Sequence, residues 1–343
     1  MNQLVLLANT IESEPGIIVG PISWLLGQVI NFFFNFVYSF TENNSLGIAI
    51  ILMTIFTRVC MLPLVIKQQK SMMAMQLIQP EMKKIQEKYQ NAMSDPEIQK
   101  KMNAEIAKLY SKHKVNPLSG CLPLFIQMPI FIALYYVMKN PYQFVDVINN
   151  VYADISNLVI SAQTSNFLDT FINGVVLKFV EIPKGMELDM AVVADLSKVL
   201  SRFDPAAWQA LRDIMPTDKL SDFDSLLATK NEIEYFLGIN LTETVGFDYD
   251  TATSGKILIP ILSGLTTFLS SWLMTRRTKV TDPNMKTQQR VMNVVMPLVM
   301  AYITTSLPCG VGLYWITSNI FQMIQQIIMN KKYYSAKKEG EEK

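Results

Sequence analysis

The chain has 343 residues, half of them hydrophobic, and a mean hydropathy of +0.22. Only 17% of it is charged, against about 25% in soluble domains, so an ordinary soluble fold is excluded and an all-α polytopic membrane protein is expected. The net charge of +1 hides a segregation: residues 67–118, 276–290 and 331–343 carry 20 Lys+Arg against 9 Asp+Glu, while 1–45 and 140–255 carry 7 against 20. Short basic loops stay in the cytoplasm, which predicts an outside N-terminus, a cytoplasmic C-terminus and an odd number of spans between them.

Little catalytic chemistry is available. Cys60, Cys121 and Cys309 lie in or beside apolar segments and read as small core residues, without a disulfide framework or a structural zinc site. His113 is the only histidine and no GxxxxGK[ST] loop occurs, which argues against an enzyme, a metal or a cofactor.

The run LVLLAN near the start has no basic flank, so no cleaved signal peptide is expected. In 21–40, Gln28, Asn31, Asn35 and Ser39 form one polar stripe among Phe, Leu and Trp; this reads as an amphipathic helix in the outer interface, a span being the alternative. It belongs to an extracytoplasmic N-terminus, 1–45. The first span, 46–66, carries Arg58 in its interior, about 13 Å of helix from Lys67. A cation there is kept where it meets a wet cavity, a counter-charge or a ligand, or else it snorkels as an anchor. Thr54, one turn away, extends the polar strip.

Residues 67–118 predict a cytosolic helical hairpin. Met75, Ile78, Met82, Ile85 and Tyr89 make one stripe, and Ile98, Met102, Ile106 and Leu109 a second. Asp95-Pro96-Glu97 starts the second helix, and Pro80 predicts a kink or late start in the first. Met72, Met73, Met75, Met82, Met93 and Met102 suit a surface that meets many apolar partners, though Met75 and Met82 fit the hairpin seam equally well. The second span, 119–139, holds Gln127 at mid-depth with Pro123 and Pro129.

Region 140–255 is expected to be extracytoplasmic and mainly helical, its many acids forming a solvated surface, and NFLDTFINGVVLKFV is too interrupted to span. Spans follow at 256–275, 291–307 and 311–329, separated by the basic loop 276–290 and followed by the basic tail 330–343. Their polar stripes are Ser263, Thr267 and Ser270 or Ser271; then Asn293 and Thr304; then Trp315, Ser318, Gln322 and Gln325. Singly these suit interhelical hydrogen bonds, and together with Arg58 they argue for a polar groove.

Several strings resemble the YidC-type membrane protein insertases, relatives of the mitochondrial oxidase-assembly and thylakoid proteins. They are TRVCMLPLVIKQQKS, IQPEMKKIQEKYQ, AKLYSKHKVNPLSGCLPLFIQMPIFIALYYV, FLGINL, PILSGLTTFLSS and GLYWITSNIFQMIQQ, covering 45–139 and 235–330 in order. The resemblance is to the short Gram-positive-like branch. It implies a five-span core whose groove opens to cytoplasm and lipid and is closed outside, with Arg58 as the groove arginine. Tyr314 and Trp315 match the aromatic pair along which substrates slide, and the hairpin matches the substrate-capturing loop. Where some relatives have Gln in the third span, this chain has Ser270 or Ser271. It lacks the Gram-negative periplasmic β-domain and a lipid-modified cysteine near the N-terminus, and its external region is longer than in many short members.

The implied function is insertion and folding of nascent membrane proteins in a bacterial plasma membrane. The implied partners are those nascent chains, the ribosome, the lipid bilayer and, as an option, the Sec translocase, with no DNA. The tail KKYYSAKK suits ribosomal RNA or a positive-inside anchor equally. The rival reading is a polytopic small-solute transporter, which calls for an internal repeat with interrupted helices; the sequence has none.

Overall fold

The computed structural model describes residues 16–89, 95–113, 122–162, 165–180, 189–246, 255–276 and 283–341. In chain order the helices are α1 (Val19–Tyr38), α2 (Ser45–Leu77), α3 (Gln79–Lys88), α4 (Pro96–Lys112), α5 (Leu122–Lys139), α6 (Asp146–Ser161), α7 (Ser165–Thr170), α8 (Val193–Leu200), α9 (Pro205–Ile214) and α10 (Leu220–Glu234). Two short strands follow, β1 (Tyr235–Phe236) and β2 (Ile239–Asn240), then α11 (Leu258–Thr275), α12 (Pro283–Arg290), α13 (Met296–Thr305) and α14 (Cys309–Glu341). Stretches of π-helix extend α7 through Phe171–Val176 and precede α13 at Val291–Val295. The protein is therefore an all-α membrane protein: among the described residues, Val19–Tyr38, Ser45–Ser71 and Leu258–Thr275 are each long and apolar enough to cross a bilayer. The chain divides into two compact units, 1–53 with 129–259 and 304–314, and 54–128 with 260–303 and 315–343.

In the first unit, Ile148, Val151, Tyr152, Ile155 and Val159 recur at helical spacing and bury one face of α6 against α8 and α10. Helix α9 starts as its sequence dictates: Asp204 Oδ1 accepts from the Ala207 N–H at 2.7 Å, with Pro205 in the first turn. Trp208 then packs edge-on against Tyr152 and Phe203. On α1 the Asn31 of the polar stripe pairs with Asp146, donating to Oδ2 at 2.8 Å and accepting from its N–H at 3.1 Å.

The acids of this unit are not all a solvated surface, which corrects the sequence reading. Glu234 is 1% exposed. Its carboxylate accepts from Tyr152 Oη at 2.8 Å, Lys230 Nζ at 2.7 Å and Thr242 Oγ1 at 3.2 Å. Asn240 Nδ2 donates to Glu243 Oε1 at 3.0 Å, and Lys256 Nζ pairs with the other oxygen of Glu243. The Lys230 ammonium also lies 4.9 Å from the Trp208 ring centre. Burial, reinforced by the Glu234 charge, holds the Tyr152 phenol well above its usual range.

This network grips the small antiparallel pair β1–β2, which the sequence reading did not anticipate. Its turn places Leu237 at φ 50° and Gly238 at φ 81°, the two positive angles that a type I′ turn needs. A leucine in that region is strained. The Leu237 N–H donates to Asn44 Oδ1 at 2.8 Å, and the Phe236 ring lies so close to Gly47 that any Cβ there would meet it at 2.2 Å. Beyond β2, Leu241 and Glu243 accept from the N–H groups of Gly310 and Cys309 at 2.8 and 2.9 Å, fastening the start of α14.

In the second unit, α2 runs unbroken past Lys67 to Leu77 with Pro63 inside it, and only Ile78 separates it from α3. Pro80 sits in the first turn of α3, so it marks a start and not a kink. Helix α4 begins at Pro96 with Asp95 accepting from the Glu97 N–H at 2.8 Å. Ile78, Met82 and Leu109 form the seam of this antiparallel pair, with Ala74, Met75, Ile85, Ile106 and Tyr110 packed against it. Cys60 is exposed and Cys309 buried, so only the second fits the core role expected of the cysteines; Cys121 lies outside the described residues.

Candidate functional site

Arg58 comes from α2 and its partner from α5. Arg58 Nη2 donates to Gln127 Oε1 at 3.1 Å, while its Nε is buried with no hydrogen-bond partner among the described residues. Among the described residues no carboxylate lies within ion-pair distance of it. A guanidinium offers five N–H donors, and a neutral amide answers one of them without answering the charge. Thr54, one turn before, is fully buried, and its carbonyl accepts from Thr57 Oγ1 at 2.9 Å.

A second polar group joins α11 to α14. Trp315 Nε1 donates to Thr267 Oγ1 at 2.9 Å. With its oxygen turned towards these donors, the Asn319 amide accepts from Trp315 Nε1 at 3.1 Å and from the hydroxyls of Thr266 and Thr267 at 3.1 and 2.9 Å. Ser263 and Ser318 are buried beside no such partner: neither hydroxyl has one in the described structure. Ser270 is buried and Ser271 half-buried, the latter's carbonyl accepting from Thr275 Oγ1 at 2.9 Å. Thr275 also shares a hydrogen bond of 2.8 Å with Asn293. Gln322 is half-buried, and Tyr314, buried at 3% exposure, belongs to the first unit. The structure thus brings Arg58 to Gln127 and Trp315 to Thr267.

A third group, mostly missed by the sequence reading, joins α2 to α14 further along. Gln69 Nε2 donates to Gln326 Oε1 at 2.9 Å, Gln326 Nε2 to Asn330 Oδ1 at 3.0 Å, and Gln325 Nε2 reaches Gln69 Oε1 at 3.5 Å. Gln68 is as deeply buried, but its Nε2 has no hydrogen-bond partner among the described residues. The signal was present: Gln69 follows Arg58 by eleven residues, three helical turns, and Gln326 and Asn330 are four apart.

In the hairpin, Met82 is buried in the seam, with Tyr110 Oη 3.2 Å from its sulfur, and Met75 packs beside it. Met102 is half-buried; Met93 and the side chains of Met72 and Met73 lie outside the described residues. The outer faces carry exposed ion pairs, Lys88–Glu105 at 2.9 Å and Lys83–Glu87 at 3.4 Å. Among the described residues no cluster of three His, Cys, Asp or Glu is placed to hold a metal.

Residues 36–338 match the model of a family described as 60Kd inner membrane protein. The chain is 29% identical over 324 residues to a protein of Oceanobacillus iheyensis named membrane protein insertase YidC, covering 94% of this chain and 85% of that one. It is 28% identical to membrane protein insertase YidC 1 of Halalkalibacterium halodurans, over 93% of this chain and 80% of the other. A 115-residue stretch, 34% of this chain and 42% of the relative, is 44% identical to membrane protein insertase YidC 2 of Bacillus anthracis.

Proposed function

This chain belongs to the 60Kd inner membrane protein family, and from that premise we propose that it is a membrane protein insertase. The observation that supports the mechanism is Arg58: a half-buried arginine with a neutral amide for a partner and a buried Nε that has no hydrogen-bond partner among the described residues. Such a group is set to receive a carboxylate. An acidic outer tail of a nascent membrane protein is drawn to Arg58 through a polar groove formed with Thr54, Gln127, Ser270, Ser271, Trp315, Ser318 and Gln322. The apolar helix behind it then leaves sideways into lipid. Burying about 20 apolar residues drives the step, and the groove lowers the cost of desolvating the tail.

In this reading five spans, 46–66, 119–139, 256–275, 291–307 and 311–329, cross a bacterial plasma membrane. The N-terminus and 140–255 lie outside, α1 rests in the outer interface, and the hairpin and basic tail face the cytoplasm. The hairpin catches the nascent chain beside the ribosome, with or without the Sec channel, and Tyr314 and Trp315 line the exit of the substrate helix. Charge segregation along the chain supports this topology. Reporter cysteines at Ser94 and Ser225 are expected to label from opposite sides with an impermeant maleimide.

The decisive experiment reconstitutes purified protein in liposomes with two single-span substrates, one with an acidic tail and one with that tail neutralised. Arg58→Lys is expected to keep most activity and Arg58→Ala to lose roughly tenfold or more on the acidic tail only, since one ion pair is worth up to about 4 kcal/mol before groove water screens it. Equal losses on both substrates would refute charge attraction. Failure of Arg58→Lys would instead assign a bidentate, shape-dependent role.

A further inference from the structure

We propose that the β1–β2 turn is a membrane anchor, with Leu237 at its tip entering the acyl chains of the outer leaflet beside the start of α2. The inference rests on the topology proposed above, in which α2 crosses the bilayer with its N-terminal end outside, and adds a lipid contact to it.

In water the turn is an unfavourable place for a leucine. The positive φ positions of a type I′ turn suit Asn and Gly, yet Leu237 holds φ 50° there with 79% of its surface exposed. Asparagine would meet the backbone requirement without presenting an apolar side chain. An apolar surrounding removes the cost of exposure and offsets the strain.

The neighbours of the turn supply that surrounding. The Leu237 N–H donates to Asn44 Oδ1 at 2.8 Å, and the Phe236 ring fills the space that a Cβ on Gly47 would take, so the turn stands beside the first turn of α2. Asn44 and Gly47 differ by only about 4.5 Å in height along a helix axis. Counting back about 20 residues from Lys67, the first cation after Arg58, puts the edge of the hydrocarbon core at about Gly47. The headgroup layer beyond it is about 5–8 Å thick, so Leu237 lies where headgroups give way to acyl chains.

The chain just before α2 brings further apolar surface to this boundary. Phe40 is 78% exposed and stacks edge-on with the exposed Phe36 at 5.3 Å, and Ser45 Oγ ties the loop after it to α2 by donating to the Thr41 carbonyl at 2.8 Å. Single protruding side chains suit a fluid of acyl chains, which needs no complementary shape. A protein partner calls for a contiguous apolar face.

The test places a photoreactive benzophenone amino acid at Leu237, at Phe56 on the exposed face of α2, or at the exposed Ser225 on α10. Each full chain is reconstituted in phosphatidylcholine vesicles, and its adducts are read by mass spectrometry. Lipid adducts are expected at positions 237 and 56, and at least tenfold fewer at 225. A yield at 237 no higher than at 225 overturns the inference, as do adducts at 237 to a second copy of the chain in place of lipid. Absence of lipid adducts at position 56 refutes the spanning of α2 itself and the inference with it, a result distinct from failure at 237 alone. Leu237→Asn supplies an independent sign, because it relieves the turn while removing the apolar tip. In the same vesicles, hydrogen exchange of the β1–β2 amides is expected to quicken by about threefold or more, since an anchored turn opens less often. Unchanged or slower exchange, the result of relieved strain alone, overturns the anchor.

Discussion

Buried polarity is treated in opposite ways by the two units. In the first, Glu234, Lys230, Tyr152, Asn240 and Thr242 form a closed set in which each buried charge meets an opposite charge or a hydrogen bond. In the second, four buried atoms, Arg58 Nε, Gln68 Nε2, Ser263 Oγ and Ser318 Oγ, have no partner among the described residues, and all such atoms found lie in this unit. A closed network fixes one arrangement, because any displacement leaves a desolvated charge behind. An open one pays a standing penalty of about 1–3 kcal/mol per atom and is relieved when something polar enters. The contrast separates a part of the chain whose buried polar groups satisfy one another from a part in which some do not.

The comparison is most easily broken at Glu234. Glu234→Ala leaves Lys230 as a buried unpaired cation and is expected to cost about 3–5 kcal/mol, read as a lower thermal midpoint in detergent; Lys230→Met added to Glu234→Leu should recover much of it. Next in size is Gly47→Ala, whose methyl would collide with the Phe236 ring and is expected to cost about 1–3 kcal/mol by overpacking in the same unfolding measurement. In the open unit the sign reverses. Ser318→Ala removes a hydroxyl without a partner among the described residues and is expected to leave stability unchanged within about 0.5 kcal/mol or to raise it slightly. A loss of 2 kcal/mol there, about four times that bound, would erase the distinction.

The smallest effect is at the rim of the first unit. Arg212 holds Asp224 through bonds of 2.6 and 2.7 Å, and those hydrogen bonds lower the aspartate pKa. A depressed folded value means that the contribution is complete above the ordinary carboxylate range and is lost as pH falls through the lowered value. Both groups are solvent-accessible, so only a slight drop in midpoint is expected on acidification, and Asp224→Asn should abolish that part of the pH dependence.

Where local chemistry decides structure, the sequence was easy to read. Asp95-Pro96 and Asp204-Pro205 start helices because a carboxylate caps the free N–H groups and proline has none to offer. Arg58 and Gln127 were visible as polar residues in apolar helices, and they meet. Partnerships across distant segments were not legible. Glu234 looks like any surface acid until Tyr152, 82 residues away, is brought to it. Gln69 and Gln326 are 257 residues apart; helical spacing puts each on a polar stripe of its own helix but does not pair them with each other. The β1–β2 turn escaped because two-residue strands carry no alternation and Leu237 is an improbable residue for a positive φ.

The continuity of α2 has a mechanical consequence. The hairpin seam is packed on Ala74 and Met75, so the hairpin is mounted on the same rod that bears Arg58, with Pro63 between them. Proline removes one rung of the helix ladder and crowds the carbonyl four residues back, making that point the softest along the rod. From Pro63 to Leu77 is a lever arm of about 21 Å, so a bend of about 10° at the proline swings the far end by about 4 Å. A sideways load on the hairpin is thus taken up at one residue, five positions after Arg58.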